Sequence, residues 1–184
     1  MTRRLLVCGL LLLATACGQR QQPATSASLP VSTPPPTTSS SAAPDIVRCN
    51  ASVLSGEITP TDAGAGNRYG KFFVTNKGAE PCTLNGYSGL QLLAADGSPL
   101  PTKLERVTDP GPAPMELAPA ARAAANLHWS VVPNGSEPAD KPCQPEPSKA
   151  AAIPPDETKP LSLTWDYGPV CSGGRIEISA FYPA

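Results

Sequence analysis

The chain carries six cysteines and a single histidine, and these residues have the most chemistry to offer. Thiols pair in an oxidising compartment; in a reducing one they hold metals or act as nucleophiles. Cys49, Cys82, Cys143 and Cys171 stand at least 28 residues apart, whereas zinc knuckles space their ligands roughly two to four residues apart. No metal site and no cofactor are therefore expected of them. His128 would suit general-base work at neutral pH. It sits beside Trp129 in an alternating run, "ANLHWSVV" (125–132), which turns it to the face opposite the tryptophan, where solvent is expected. Asp62 precedes a glycine-rich stretch, "GAGNRYG" (64–70), that lacks the Lys-Ser/Thr of a phosphate loop and leads into a strand, not a helix. A strand-connecting loop is the expectation there, with its backbone N–H groups open to contacts. "GYSGL" (86–90) breaks the order of a nucleophile elbow, and the carboxylates are too scattered for a glycosidase pair. No catalytic residue is assigned, and no enzyme is expected.

Cys8 and Cys17 belong to a different context. Arg3 and Arg4 precede the apolar run "LLVCGLLLLATA" (5–16), which is shorter than the ~20 residues a spanning helix needs and reads as a sorting signal over residues 1–16. Small residues Ala14, Thr15 and Ala16 then lead to Cys17. A generic cut after Ala16 would fit the same residues, and simple secretion stays open. However, "LATAC" resembles the bacterial lipobox, in which the cysteine thiol receives a diacylglycerol group and becomes the new N-terminus. The chain departs from that motif by carrying Ala14 where a large aliphatic residue is usual. Cys17 is thus the expected lipidation site, and the membrane the expected partner through that anchor. Two acyl chains, at ~0.8 kcal/mol per buried CH₂, hold far more firmly than one.

Residues 17–44 then read "CGQRQQPATSASLPVSTPPPTTSSSAAP", with one charge and no apolar periodicity. Such a segment cannot bury enough surface to offset its ordering entropy and is expected to form a disordered tether. Its Ser/Thr/Pro content leaves O-glycosylation open. From 45 to 184 the pattern changes to short apolar or alternating runs between Gly, Pro, Asn and Asp. "RYGKFFVTN" (68–76), "PLSLTW" (160–165) and "RIEISAFY" (175–182) are strand-like, and "GLQLLAADGSPLPTKLERV" (89–107) reads as a hairpin turning at Asp96-Gly97. In "ELAPAARAAANLHWSVV" (116–132) the period-two placement of Ala123, Ala125, Leu127, Trp129 and Val131 predicts a strand for the second half, after a short turn near Ala120. The expected fold is all-β, an immunoglobulin-like antiparallel β-sandwich with two disulfides. Three pairings of Cys49, Cys82, Cys143 and Cys171 are possible. Cys49–Cys82 with Cys143–Cys171 is favoured because each closes a modest loop within one half of the domain. The proline-rich stretch 134–160, pinned at Cys143, is expected to be a long loop and the foremost candidate for a recognition surface.

The block "GAGNRYGKFFVTNKGAEPCTLNGYSGLQLLAADGSPL" (64–100), with "LAPAARAAANLHW" (117–129) and "VCSGGRIEIS" (170–179), resembles the domain of unknown function 4232 family. Ala120 stands where that family usually carries glycine. The resemblance implies an exported β-sandwich, often behind a lipobox and a low-complexity linker, and brings no reaction. The formal net charge is −1, and no Lys/Arg cluster offers the positive face that nucleic acid requires. The expected function is a lipid-anchored protein on the outer face of the bacterial cytoplasmic membrane, displaying a binding module for an envelope protein or glycan. The alternatives are a structural spacer of the cell wall or a wall-polymer hydrolase.

Overall fold

The computed structural model describes residues 46–184. The strands are β1 (Leu54–Gly64), β2 (Asn67–Asn76), β3 (Cys82–Leu84), β4 (Gly89–Leu93), β5 (Lys103–Arg106), β6 (Met115–Leu117), β7 (Arg122–Ser130), β8 (Lys149–Ile153), β9 (Leu161–Thr164), β10 (Arg175–Ile178) and β11 (Tyr182–Pro183). They form a sheet of order β1-β2-β7-β10-β5, with β11 also on β7, a three-stranded sheet β4-β8-β9, and a β3-β6 ribbon. The all-β expectation holds. One pairing departs from the antiparallel expectation, because β5 and β10 run parallel. A parallel pair needs a long crossover, and here the chain between them builds β6 to β9.

Alternation explains the layers. In β2, Phe72 and Val74 are buried while Lys71 and Phe73 lie toward the outer face; in β10, Ile176 and Ile178 are buried. The opposing sheet contributes Leu90, Leu92, Ala150, Ala152, Leu161 and Leu163 to the same core. Trp129 and Trp165 meet across the layers with ring centroids 5.1 Å apart, and Phe72 meets Phe181 at 5.6 Å. These aromatics are core anchors. β7 is central, paired with β2 along one side and with β10 and β11 on the other. The strand expected in the second half of 116–132 is this one. Ala120 turns into it in the left-handed region, at φ 63°, the position where a glycine would be unstrained.

Three expectations need correction. The 89–107 hairpin closes only near its tip, where Ala94 bonds Ser98 and Leu100 bonds Leu92 across the Asp96-Gly97 turn. Beyond it β4 pairs with β8 and β5 with β10, since burial against two different sheets outweighs a local ladder. Residues 61–70 are not a connecting loop. They are the continuing β1–β2 ladder around a two-residue turn, Ala65 at φ 47° and Gly66 at φ 81°, the left-handed pair that matches strand twist in a tight hairpin. Residues 134–160 are not one long loop either, because β8 runs through them as the middle strand of its sheet. "KAAAI" looks poor for a strand on propensity, yet Ala150 and Ala152 are wholly buried. Their small side chains suit a central strand that larger residues cover from the other sheet.

Candidate functional site

Disulfides set the frame. Cys49 bonds Cys82 and Cys143 bonds Cys171, with Cα–Cα distances of 4.9 and 5.4 Å. The first ties the segment before β1 to β3. The second ties the loop after β7 to a left-handed turn before β10, in which Ser172, Gly173 and Gly174 have φ of 58°, 68° and 81°. A turn of successive positive-φ residues points its N–H groups inward, toward an anion. Glu137 fills that position, its carboxylate accepting from Ser172 and Gly173 N–H, both at 2.9 Å, and from Asn134 N–H at 3.0 Å. Burial works against its charge, but the N–H groups of Gly173, Asn134 and Ser172 outweigh it and bring its pKa to about 2. Glu137, Cys143 and Cys171 also stand together as a metal-ligand geometry. Both sulfurs are consumed by the disulfide, so the cluster has one ligand to give.

His128 anchors a second cluster, on the outer face of the large sheet. The register aligns Glu105, Glu177, His128 and Tyr69 across β5, β10, β7 and β2. His128 Nδ1 lies 2.9 Å from Glu177 Oε2, and Nε2 lies 2.9 Å from Asn67 Oδ1. Its ring stacks on Tyr69 at 4.6 Å. Arg175 donates to Glu105 at 2.7 Å and to Glu177 at 2.7 Å, and Lys103 adds a bridge to Glu105. Hydrogen bonds from Lys103 and Arg175 hold the Glu105 carboxyl below its ordinary value. The expected orientation of His128 is observed, but both ring nitrogens are engaged. No lone pair of this imidazole is turned outward to take a proton from a substrate.

A concavity opens beside the β1–β2 hairpin. It measures about 780 Å³ and runs between the outer part of the β1–β2 hairpin and the loop after β9. A register shift between Pro60 and Asp62 leaves Thr61 outside the ladder; such bulges re-aim side chains. Arg68, Trp129 and Tyr167 line the groove, with Thr61, Asp62 and Asp166. Tyr167 donates to the Ile58 carbonyl at 2.6 Å and meets Trp129 at 6.0 Å. Burial, with the charges of Asp166 and Glu57, raises its phenol above the ordinary value, which keeps it a hydrogen-bond donor. The Trp129 indole N–H is buried and has no partner among the described residues. Asp62, Arg68 and Asp166 form no ion pair among the described residues.

The glycine-rich hairpin thus reaches the groove, as a ladder and not as a loop. Nothing in the sequence joined it to Asp166 and Tyr167, about a hundred residues later, because only sheet packing brings them together. From the stretch 134–160, Asn134 to Glu137 and Gln144 line a separate depression with Ser172 and Gly173. "GYSGL" is structural: Ser88 is buried, and its hydroxyl donates to the Ile153 carbonyl at 2.9 Å. Asn76 escaped notice in the sequence. Its buried amide donates to the Glu80 and Leu117 carbonyls at 2.8 and 2.9 Å and accepts from Gly78 N–H at 2.9 Å, fixing the turn after β2. Cys17, the signal and the tether lie outside the described residues.

Neither a curated protein nor a solved structure matches the chain. One family model does, described as "Domain of unknown function (DUF4232)", over residues 49–182. That span takes in all four disulfide cysteines, β1 to β10 and the whole groove, and the chain belongs to the DUF4232 family.

Proposed function

We propose that this protein is a lipid-anchored component of the bacterial cell envelope whose β domain is a binding module, with the groove beside the β1–β2 hairpin as its contact site. The groove carries the reading. It is roomy and partly aromatic, and its charged side chains are not paired with one another among the described residues. Concave sites with an apolar lining and a few convergent polar groups are where ligands bind. The anchor rests on "LATAC" and the tether on the composition of residues 17–44. Catalysis is not part of the reading, because the sole histidine is held at both nitrogens.

Two measurements test it in the intact cell. Cys17→Ser should abolish acyl labelling and move the protein out of the membrane fraction; a mature chain that begins with an unmodified Cys17 overturns the anchor. A photo-crosslinking residue placed at Thr61, in the groove, should give a discrete adduct that the same residue at Asp140 does not. A purely structural spacer would give the same pattern at both positions, and that result would reject the binding role.

A further inference from the structure

The groove's chemistry narrows what it can hold, and the inference rests on the binding role just proposed. Its charges are of both signs. Asp62 and Asp166 are carboxylates, and Arg68 is a guanidinium on the neighbouring strand. Arg68 spends one N–H on the Asn67 carbonyl at 3.0 Å, and Asp62 accepts its neighbour's Ala63 N–H at 2.8 Å. The rest of their hydrogen-bonding capacity faces water. A cationic ligand would bring its charge against Arg68, and an anionic one against two carboxylates. A neutral ligand that both donates and accepts satisfies all three.

Two kinds of neutral polymer meet that description. An extended peptide would need a free ladder to join. The part of β1 that borders the groove is interrupted by Pro60, which has no N–H, and by the bulge at Thr61. A polyproline segment offers acceptors without donors and would leave both carboxylates unsatisfied. A saccharide has hydroxyls that donate to carboxylates and accept from a guanidinium, and C–H faces that pack on an accessible ring such as Tyr167. The cavity of about 780 Å³ has room for more than a single sugar ring. We propose that the groove between the β1–β2 hairpin and the loop after β9 binds a neutral, hydroxyl-rich oligosaccharide. Asp166 and Arg68 make the orienting hydrogen bonds, and Tyr167 supplies the stacking face.

The test titrates the intact, disulfide-bonded protein with maltotriose, cellotriose and tri-N-acetylchitotriose, reading tryptophan fluorescence and amide NMR shifts. At least one should perturb the fluorescence saturably and shift amides at Thr61, Asp62 and Gly168. Asp166→Asn and Arg68→Gln, both at solvent-accessible positions, should each weaken that binding about tenfold, with thermal unfolding unchanged. Asp140→Asn, in the loop after β7, should leave it unchanged. The proposal fails if no trisaccharide acts at concentrations that saturate weak sites, or if binding is unaffected by both groove variants. A synthetic peptide of residues 28–44 is the parallel probe. If it shifts the groove amides while the sugars do not, the saccharide is wrong and the binding role survives. If neither probe shifts them and Thr61 gives no adduct in the cell, both readings fall.

Discussion

Glu137 shows how a single side chain can hold a loop that has little core of its own. Its carboxylate occupies the concave face of the Ser172–Gly173 turn, and the Cys143–Cys171 bridge lies beside it. The sign of the pH dependence follows from its depressed pKa of about 2, against 4.5 for the unperturbed group. The stabilisation is complete above about pH 4.5 and is lost as pH falls toward 2, because the folded state then gives up its charge-assisted hydrogen bonds. The Ser172 and Gly173 amide resonances should titrate with a midpoint near 2, and Glu137→Gln should remove that titration. The wild-type and Glu137→Gln melting temperatures should also converge toward the acid end. A midpoint near 4.5 would show that the turn does not hold the carboxylate in solution. Glu137 gave no signal in the sequence, since a lone glutamate in a proline-rich stretch looks like any solvated charge. Two of the partners that depress it, Ser172 and Gly173, lie 35 and 36 residues away.

At the scale of elements, backbone conformation divides the positions that can change from those that cannot. Ala120 holds φ at 63° and is exposed, so its Cβ strain should be relieved by glycine. A non-glycine residue in the left-handed region costs about 1–2 kcal/mol, part of which is offset by the greater freedom of glycine in the unfolded chain. Ala120→Gly should therefore stabilise by about 0.5–1 kcal/mol, seen as a rise of a few degrees in melting temperature. Gly174 is the opposite case. It sits at φ 81°, and a Cβ there would collide with the Pro101 carbonyl and come within 3.0 Å of Thr102 N. Backbone cannot move aside as a side chain can. Gly174→Ala should cost on the order of 3 kcal/mol and should separate β10 from the segment leading into β5, read as lost amide protection at Ile176 and Leu104. Strands with strict alternation, such as "RIEI", were legible because one face meets a core. β8 was not, because alanine carries no strand signal and its place is decided by β4 and β9 on either side.

For the whole molecule, the two disulfides act on different parts. Cys49–Cys82 closes 33 residues and fastens the start of the domain to β3; the chain-entropy estimate for such a loop is ~3.5–4 kcal/mol. Cys49→Ser with Cys82→Ser should lower the melting temperature on the order of 10 °C. Cys143→Ser with Cys171→Ser should chiefly loosen the loop after β7, read as faster proteolysis there. Equal global losses from both pairs would contradict this division. Much of the organisation could be read from residue order alone. Alternation marks strands that face one core, and four cysteines allow three bridge arrangements, of which the observed one was favoured for its modest loops. These signals are local, arising from residues near one another in the chain. Tertiary structure decided the parallel β5–β10 pair, the strand through 149–153, the engagement of His128 at both nitrogens, and the groove itself. Each depends on residues far apart in sequence meeting when the sheets close, and their meeting is set by how a shared core packs.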